Sequence, residues 1–450
     1  MRELSHLIQS IPSSATVAIA DKANALRAAG HNVIALAGGD PDFATAPHIV
    51  EAAIQAMHAG KTNYPAPSKG IMVAMEAIAE KVLADSGRTI NPASDVIITP
   101  GGKWGLALAL WSILNTGDEV LYLEPAWVSY VPLIRMAGGV PVAVGLDGAD
   151  NFRITAEQLT AHITPRTKAI MVNSPSNPTG RVMTAAEAQA IAQVANEHDL
   201  FVISDELYEK LVFDGRQHIS LMGLPGMDER TLTVNGLSKG YAMTGWRLGW
   251  LVGPTAVLKL AAKMHSQTLT SAAHFTMYAA VAALRGPQEQ VAHMRDAYQA
   301  RRDFIVPALN ALPGIECPMI EGAFYVMPHF PHSSRNSVEL AEALLEKAGV
   351  AGTPGLAFGP SAEKRVRFSI ATALSDLEQA VERMAKIAEE LVICHLSLVI
   401  CHLPFAAPLL PCSPALPPHA RCSHRPHLPL SGGHCPPHHL AGATIAPRGG

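Results

Sequence analysis

A lysine preceded by a hydroxyl and followed by an arginine in apolar surroundings can hold a carbonyl compound as a Schiff base while its neighbours grip an anionic ester. The chain carries that set at Ser238-Lys239, with Arg247 eight residues on inside Gly245-Trp246-Arg247-Leu248-Gly249-Trp250. A guanidinium in such a frame needs an anion as partner, which lifts the Ser-Lys pair above an ordinary solvated surface charge. In Ile203-Ser204-Asp205-Glu206-Leu207-Tyr208 an acid closes an apolar run that should be buried on both faces. Its carboxylate needs a cation; the protonated nitrogen of a pyridine ring would serve, and Tyr208 is then placed to donate to an oxygen of that ring. The plainer role for Asp205 is a helix N-cap. Asn173-Ser174-Pro175-Ser176-Asn177-Pro178-Thr179-Gly180 contains two X-Pro steps and a glycine, which enforce a rigid turn. That turn either holds Asn177 against a ring oxygen or a carboxylate, or is only a loop. Finally, Pro100-Gly101-Gly102-Lys103 reads as a strand-to-helix turn whose free N–H groups suit a phosphate, without P-loop spacing.

These residues need elements that bring them together. From Asp95 to Gly253 short apolar, β-branched runs alternate with helical patterns, as parallel strands joined by crossover helices do. The strands expected are Val96–Thr99, Val120–Leu123, Val140–Val144, Ala169–Val172, Phe201–Ser204, Thr231–Val234 and Leu248–Val252. All four motifs then lie at strand ends, where open α/β sheets bind ligands. Capping boxes are expected at Thr155/Gln158, Thr184/Glu187 and Ser375/Glu378. After about Gly286 the pattern changes to a helix over 288–312, a strand at Ala323–Met327, a helix near Val338–Ala348 and a strand at Val366–Ile370. The expected division is an N-terminal segment 1–45 completing the small domain and the substrate loop, a large domain 46–285, a small α+β domain 286–390 and a tail 391–450.

Composition narrows the class. With 450 residues, 16 % charged, 48 % apolar and a net charge of −4, the chain has a real core and no electrostatic grip on nucleic acid. The longest apolar stretch, Leu391–Leu403, is too short for the roughly 20 residues of a membrane span, and no secretory leader is apparent, so a cytoplasmic protein without membrane contact is expected. Five of six cysteines and eight of twenty histidines fall in the last 60 residues, which hold no Asp or Glu and open on the echo LVICHLS, LVICHLP. No spacing there suits a structural zinc site, so no metal is expected. The tail reads as a disordered Pro/His/Cys extension whose abrupt start suggests a frame or stop-codon accident.

SPSNPTG, SDELYE and LSKGYAMTGWRLGW together resemble the class I and II aminotransferases of fold type I, over about Ser14 to Glu390. The resemblance implies an α/β large domain with a mostly parallel seven-stranded sheet sandwiched by helices, a smaller α+β domain, and pyridoxal 5′-phosphate as cofactor. It implies that Lys239 carries the cofactor and moves the substrate proton, that Asp205 pairs with the ring nitrogen, and that Tyr208 and Asn177 bind the 3′ oxygen. Gly102, Lys103, Ser238 and Arg247 fall where the family holds the phosphate, and Trp127 where an aromatic stacks on the ring. Arg367 aligns with the arginine that takes the substrate α-carboxylate, with Gly39 touching the same group; Arg365 is a nearby decoy that strand alternation would put on the same face. Tyr64 matches a tyrosine that crosses to the other subunit's phosphate, implying a homodimer with shared sites.

Lys103 and Ser14 match the pair that reads the distal carboxylate in one aspartate-type subgroup, which favours aspartate with 2-oxoglutarate. The stretch from Ser266 to Thr276 departs from that subgroup and holds no arginine, leaving aromatic, basic or other amino acids open. The same scaffold also hosts carbon–sulfur β-lyases and, outside catalysis, effector-sensing modules of transcription regulators.

Overall fold

The computed structural model describes residues 2–11 and 15–392, so Ser14 and nearly all of the 391–450 tail lie outside the described residues. Seven strands form the main sheet: β1 (Val96–Thr99), β2 (Glu119–Glu124), β3 (Val140–Gly145), β4 (Thr167–Asn173), β5 (Phe201–Asp205), β6 (Thr231–Gly236) and β7 (Gly249–Val252). Their order is β1-β7-β6-β5-β4-β2-β3. β7 runs antiparallel to both neighbours and the other pairings are parallel, so the expected strands are present but one reverses direction. The chain reverses over the connection 237–248, in which Ala242 and Arg247 take left-handed backbone (φ 52° and 53°), and β7 starts only at Gly249, not Leu248.

β5 and β6 are buried along nearly their whole length, as continuous β-branched runs in a sheet covered on both faces should be. One core packs the helix Gly102–Ile113 (Leu106, Leu108, Leu110) against Ile203, Leu232 and Val234; another packs the helix Ala185–Glu197 on the opposite side through Ile191 and Val194 against Ile170 and Val202. Each such fully buried side chain contributes roughly 1.5–3 kcal/mol. Thr155 with Gln158 and Thr184 with Glu187 form the expected capping boxes.

Beyond residue 286 the helix Glu289–Asn310 precedes a three-stranded antiparallel sheet of β8 (Tyr325–Val326), β9 (Thr353–Pro354) and β10 (Val366–Ser369), in the order β9-β10-β8. β8 is shorter than the expected Ala323–Met327 because Ala323 takes positive φ (56°) and breaks the run. The expected helix near Val338–Ala348 divides into an α-helix Ser337–Ala343, capped by an unforeseen Asn336/Glu339 box, and a π-helical turn Leu344–Ala348. The expected Ser375/Glu378 box is absent. The last long helix starts at Leu374 with Ala373 as N-cap, which puts Ser375 inside the first turn, and Thr372 instead donates to Asp376 at 2.8 Å. No helix among the described residues is long and apolar enough to cross a membrane.

Candidate active site

The carboxyl ends of β4, β5 and β6 lie side by side: Asn173 is in register with Asp205, and Asp205 with Val234. Over them opens a cavity whose lining includes Gly39, Lys103, Trp127, Asn177, Asp205, Tyr208, Lys239 and Arg367, eight of the residues singled out in the sequence. The X-Pro turn is tied to the sheet through Asn173, whose side chain donates to the Asp205 carbonyl (2.9 Å) and accepts from the Asn177 amide (2.7 Å). Asn177 Oδ1 in turn accepts from Arg367 Nη1 at 2.9 Å, and Arg367 Nη2 donates to the Ala37 carbonyl at 2.8 Å. Arg367 is almost fully buried, and its Nε has no hydrogen-bond partner among the described residues.

Asp205 is also buried, and burial pushes its carboxyl up to about 6 against the hydrogen bonds that favour its charged form. Those bonds come from the Tyr130 hydroxyl (2.7 Å) and the Leu207 amide (3.3 Å). Lys239 Nζ donates to the Gly39 carbonyl at 2.5 Å. Burial pulls this amine down to about 8; Asp40 and Asp205 oppose the shift, whereas Arg367 and Arg247 reinforce it. The cavity thus holds a carboxyl and an amine whose charges are both poorly solvated and unpaired with each other's full strength, the kind of poise that acid–base sites show. Lys103 Nζ sits 5.0 Å above the Trp127 ring, and Trp127 packs edge-on against Tyr130.

Gly102, Ser238 and Arg247 flank this cavity rather than line it. The helix Gly102–Ile113 begins after Gly101, whose φ of 86° needs glycine. A Cβ there would fall 2.7 Å from Arg247 Nη2, so the missing side chain keeps room for the guanidinium beside the helix N-terminus. Arg247 is held by the Thr244 carbonyl at 2.8 Å. Free helix amides, a hydroxyl and an arginine make a cradle for a phosphate ester. With Asp205 at the floor, Lys239 within the cavity and the buried, unpartnered Arg367 Nε, the residues fit pyridoxal 5′-phosphate together with an amino acid.

Tyr64 lies away from this chain's cavity and is 79 % exposed. Arg365 does not line the cavity; paired with His329 in continuation of the β10 ladder, it lays its guanidinium over Phe152 at 5.1 Å. Tyr130 and Tyr325 were not foreseen. Tyr130 stands in the same Pro125–Tyr130 run as Trp127, but 75 residues separate it from Asp205, so no local pattern announced the contact.

The profile of class I and II aminotransferases matches residues 31–384. The chain belongs to the class I and II aminotransferases. It is 43 % identical over 394 residues to an aspartate aminotransferase of Geobacillus stearothermophilus, covering 86 % of this chain and 99 % of that one. It is also 43 % identical over 392 residues to an aspartate/prephenate aminotransferase of Thermus thermophilus, with 86 % and 99 % covered. An aspartate aminotransferase from Thermus thermophilus solved with maleate superposes with a TM-score of 0.82 at 42 % identity, covering 86 % of this aminotransferase and all of the other (100 %). The family's chemistry is transfer of an amino group between an amino acid and a 2-oxo acid on pyridoxal 5′-phosphate, and this aminotransferase is an enzyme of that kind.

Proposed function

We propose that this aminotransferase takes the amino group of L-aspartate and passes it to 2-oxoglutarate in ping-pong half-reactions. The observation that carries the substrate choice is Lys103: it lines the same cavity as Arg367, has no carboxylate partner among the described residues, and so leaves a cation free for a second carboxylate. Burial and the nearby Arg247 make that ammonium easier to deprotonate than usual, and a bound carboxylate would reverse the effect. The aspartate aminotransferases above add support. Ser14, the other proposed reader of that carboxylate, lies outside the described residues.

Pyridoxal 5′-phosphate, when bound, supplies an electron sink that acidifies the substrate's Cα–H bond. In this proposal Lys239 holds it, Asp205 pairs with its ring nitrogen, Tyr208 and Asn177 bind its 3′ oxygen, Trp127 covers its face, and Gly102, Ser238, Arg247 and the backbone amide of Lys103 surround its phosphate, which leaves the Lys103 side chain for substrate. Arg367 takes the α-carboxylate as a two-pronged donor, with Gly39 beside it. Lys239 Nζ, with its pull toward about 8, takes the Cα proton as a base near neutral pH and returns it as an acid. Trp127, Tyr325 and Leu207 line the cavity walls that keep water from the reacting carbon.

The strongly exposed Tyr64 fits a residue that completes a neighbouring subunit's phosphate site, so we propose a homodimer acting in the cytoplasm. We also propose that residues 46–285 hold the cofactor, while 286–390 with 1–45 bring Arg367 and Gly39 to it; the separate sheet that carries Arg367 supports this division. Adding L-aspartate without an acceptor to the yellow holoenzyme should bleach its visible band with stoichiometric oxaloacetate. Lys103→Ala should lower kcat/KM for aspartate by about 10–100-fold, the value of a charge-assisted hydrogen bond, and leave that for alanine nearly unchanged. Equal losses on both amino acids would overturn the substrate assignment.

A further inference from the structure

Tyr325 touches three parts of the site at once. Its hydroxyl lies 3.0 Å from that of Tyr208, in a buried pair. A Cβ on Gly39 would fall 2.7 Å from the same hydroxyl, and the Gly39 carbonyl is the acceptor of Lys239 Nζ. The Arg367 guanidinium sits over the Tyr325 ring at 4.3 Å. Tyr325 comes from β8, whose partner β10 carries Arg367, whereas Tyr208 follows β5 of the main sheet. The two hydroxyls therefore bridge the element that positions the carboxylate donor and the one that positions Asp205.

Proton counting gives this contact a direction. Each phenol has one O–H, so two hydroxyls at this distance share one hydrogen bond with one donor. If Tyr208 gives its proton to a ligand, the bond between the tyrosines survives only when Tyr325 donates. We infer that Tyr325 is a positioning residue whose hydroxyl donates to the Tyr208 oxygen and thereby directs the Tyr208 proton at the 3′ oxygen of pyridoxal 5′-phosphate. This rests on the role proposed above for Tyr208. A hydroxyl that accepts while it donates is the stronger donor, by roughly 10–30 % per bond. The titratable and charged groups facing Tyr325 are Tyr208, Arg367 and Asp40, with the Lys239 amine one carbonyl away; Asp205 also faces Tyr208. Burial raises both phenols above their ordinary value, so both keep their protons at working pH. Arg367 pulls both phenols the other way, so the direction of donation rests on the proton count and not on that charge.

The test uses holoenzyme without substrate and follows the pH midpoint at which the bound cofactor's visible absorbance band changes. Donation to the 3′ oxygen draws electron density from the lysine-bound nitrogen and helps its proton leave, so weaker donation raises the midpoint. Tyr208→Phe should raise it by about one unit, and Tyr325→Phe by about 0.3–0.5 unit in the same direction. The double variant should match Tyr208→Phe alone, because the second hydroxyl acts only through the first. A Tyr325→Phe midpoint equal to that of the unaltered enzyme, additive shifts in the double variant, or a Tyr325→Phe protein that does not retain cofactor would each overturn the inference. An unmoved midpoint in Tyr208→Phe would instead overturn the proposed role of Tyr208.

Discussion

The chain segment Ser204–Glu209 faces two ways and builds two unlike electrostatic regions. Toward the cavity it presents Asp205 and Tyr208; away from it Glu206 and Glu209 enter a buried ionic network. There Glu209 pairs with Lys81 at 2.7 Å, Lys81 also pairs with Asp85, and both Lys81 and Glu209 are less than one-tenth exposed. Glu206 accepts from Ser204 and Ser220 at 2.9 and 3.0 Å and lies 3.2 Å from His218 Nε2. Burial drags the Lys81 ammonium down, but Glu209 and Asp85 more than reverse it and hold it above its usual value. In the cavity the opposite balance holds, and burial leaves Lys239 near 8 and Asp205 near 6. Similar burial with a matched partner makes a fixed charge, and without one makes a group poised to bind or move a proton.

The largest break in this comparison comes from Lys239→Ala. Removing the residue that both holds the cofactor and moves the proton should lower transamination by about 10⁴-fold, the upper end for loss of a positioned base. Unfolding in urea should show no comparable loss of stability. Lys81→Met should do the reverse. It leaves Asp85 without its cation and Glu209 with only the more distant Lys210 at 3.5 Å, and should cost roughly 3–5 kcal/mol of unfolding free energy. The activity of the molecules that remain folded should be unchanged, as initial rates normalised to native protein would show.

The sequence made the poised region more legible than the paired one, for a physical reason. Lys239, Asp205 and Asn177 each close a strand or open a rigid turn, and a polar residue that interrupts an apolar run is visible in one dimension. The seven strands were legible in the same way, since buried parallel strands read as unbroken β-branched runs. The reversal of β7 was not, because it is set by the path of the whole connection 237–248 and not by any pattern within the strand itself. The Lys81–Glu209 pair joins positions far apart in sequence, and no local pattern announces it. Arg365 and Arg367 looked equivalent under strand alternation, and only what each guanidinium meets, Phe152 or Asn177, separates them. Tyr325 was expected in a strand, but its hydroxyl acquires meaning only beside Tyr208, which another sheet delivers.

The smallest expected effect is also the sharpest test of the contrast, because it asks for stability gained while function is lost. Asp205 has an ordinary value of 3.8 and a folded value near 6. Between those values the folded chain holds a proton that the unfolded chain has released, so stability falls as pH rises through that window, and the penalty is complete above it. Asp205→Asn removes the titration. In cofactor-free protein it should therefore raise unfolding stability by about 3 kcal/mol at pH 7.5, and the gain should shrink as the pH falls through the window. The holoenzyme should meanwhile lose on the order of 10²–10³-fold in kcat, the scale for removing a preorganised charge from a reacting centre. The same exchange at Glu209, Glu209→Gln, should destabilise at pH 7.5, since there the charge has its partner. A cofactor-free Asp205→Asn protein no more stable than the unaltered chain would show that Tyr130 and the Leu207 amide already compensate the buried carboxylate, and that the two regions differ in ligands rather than in electrostatic strain.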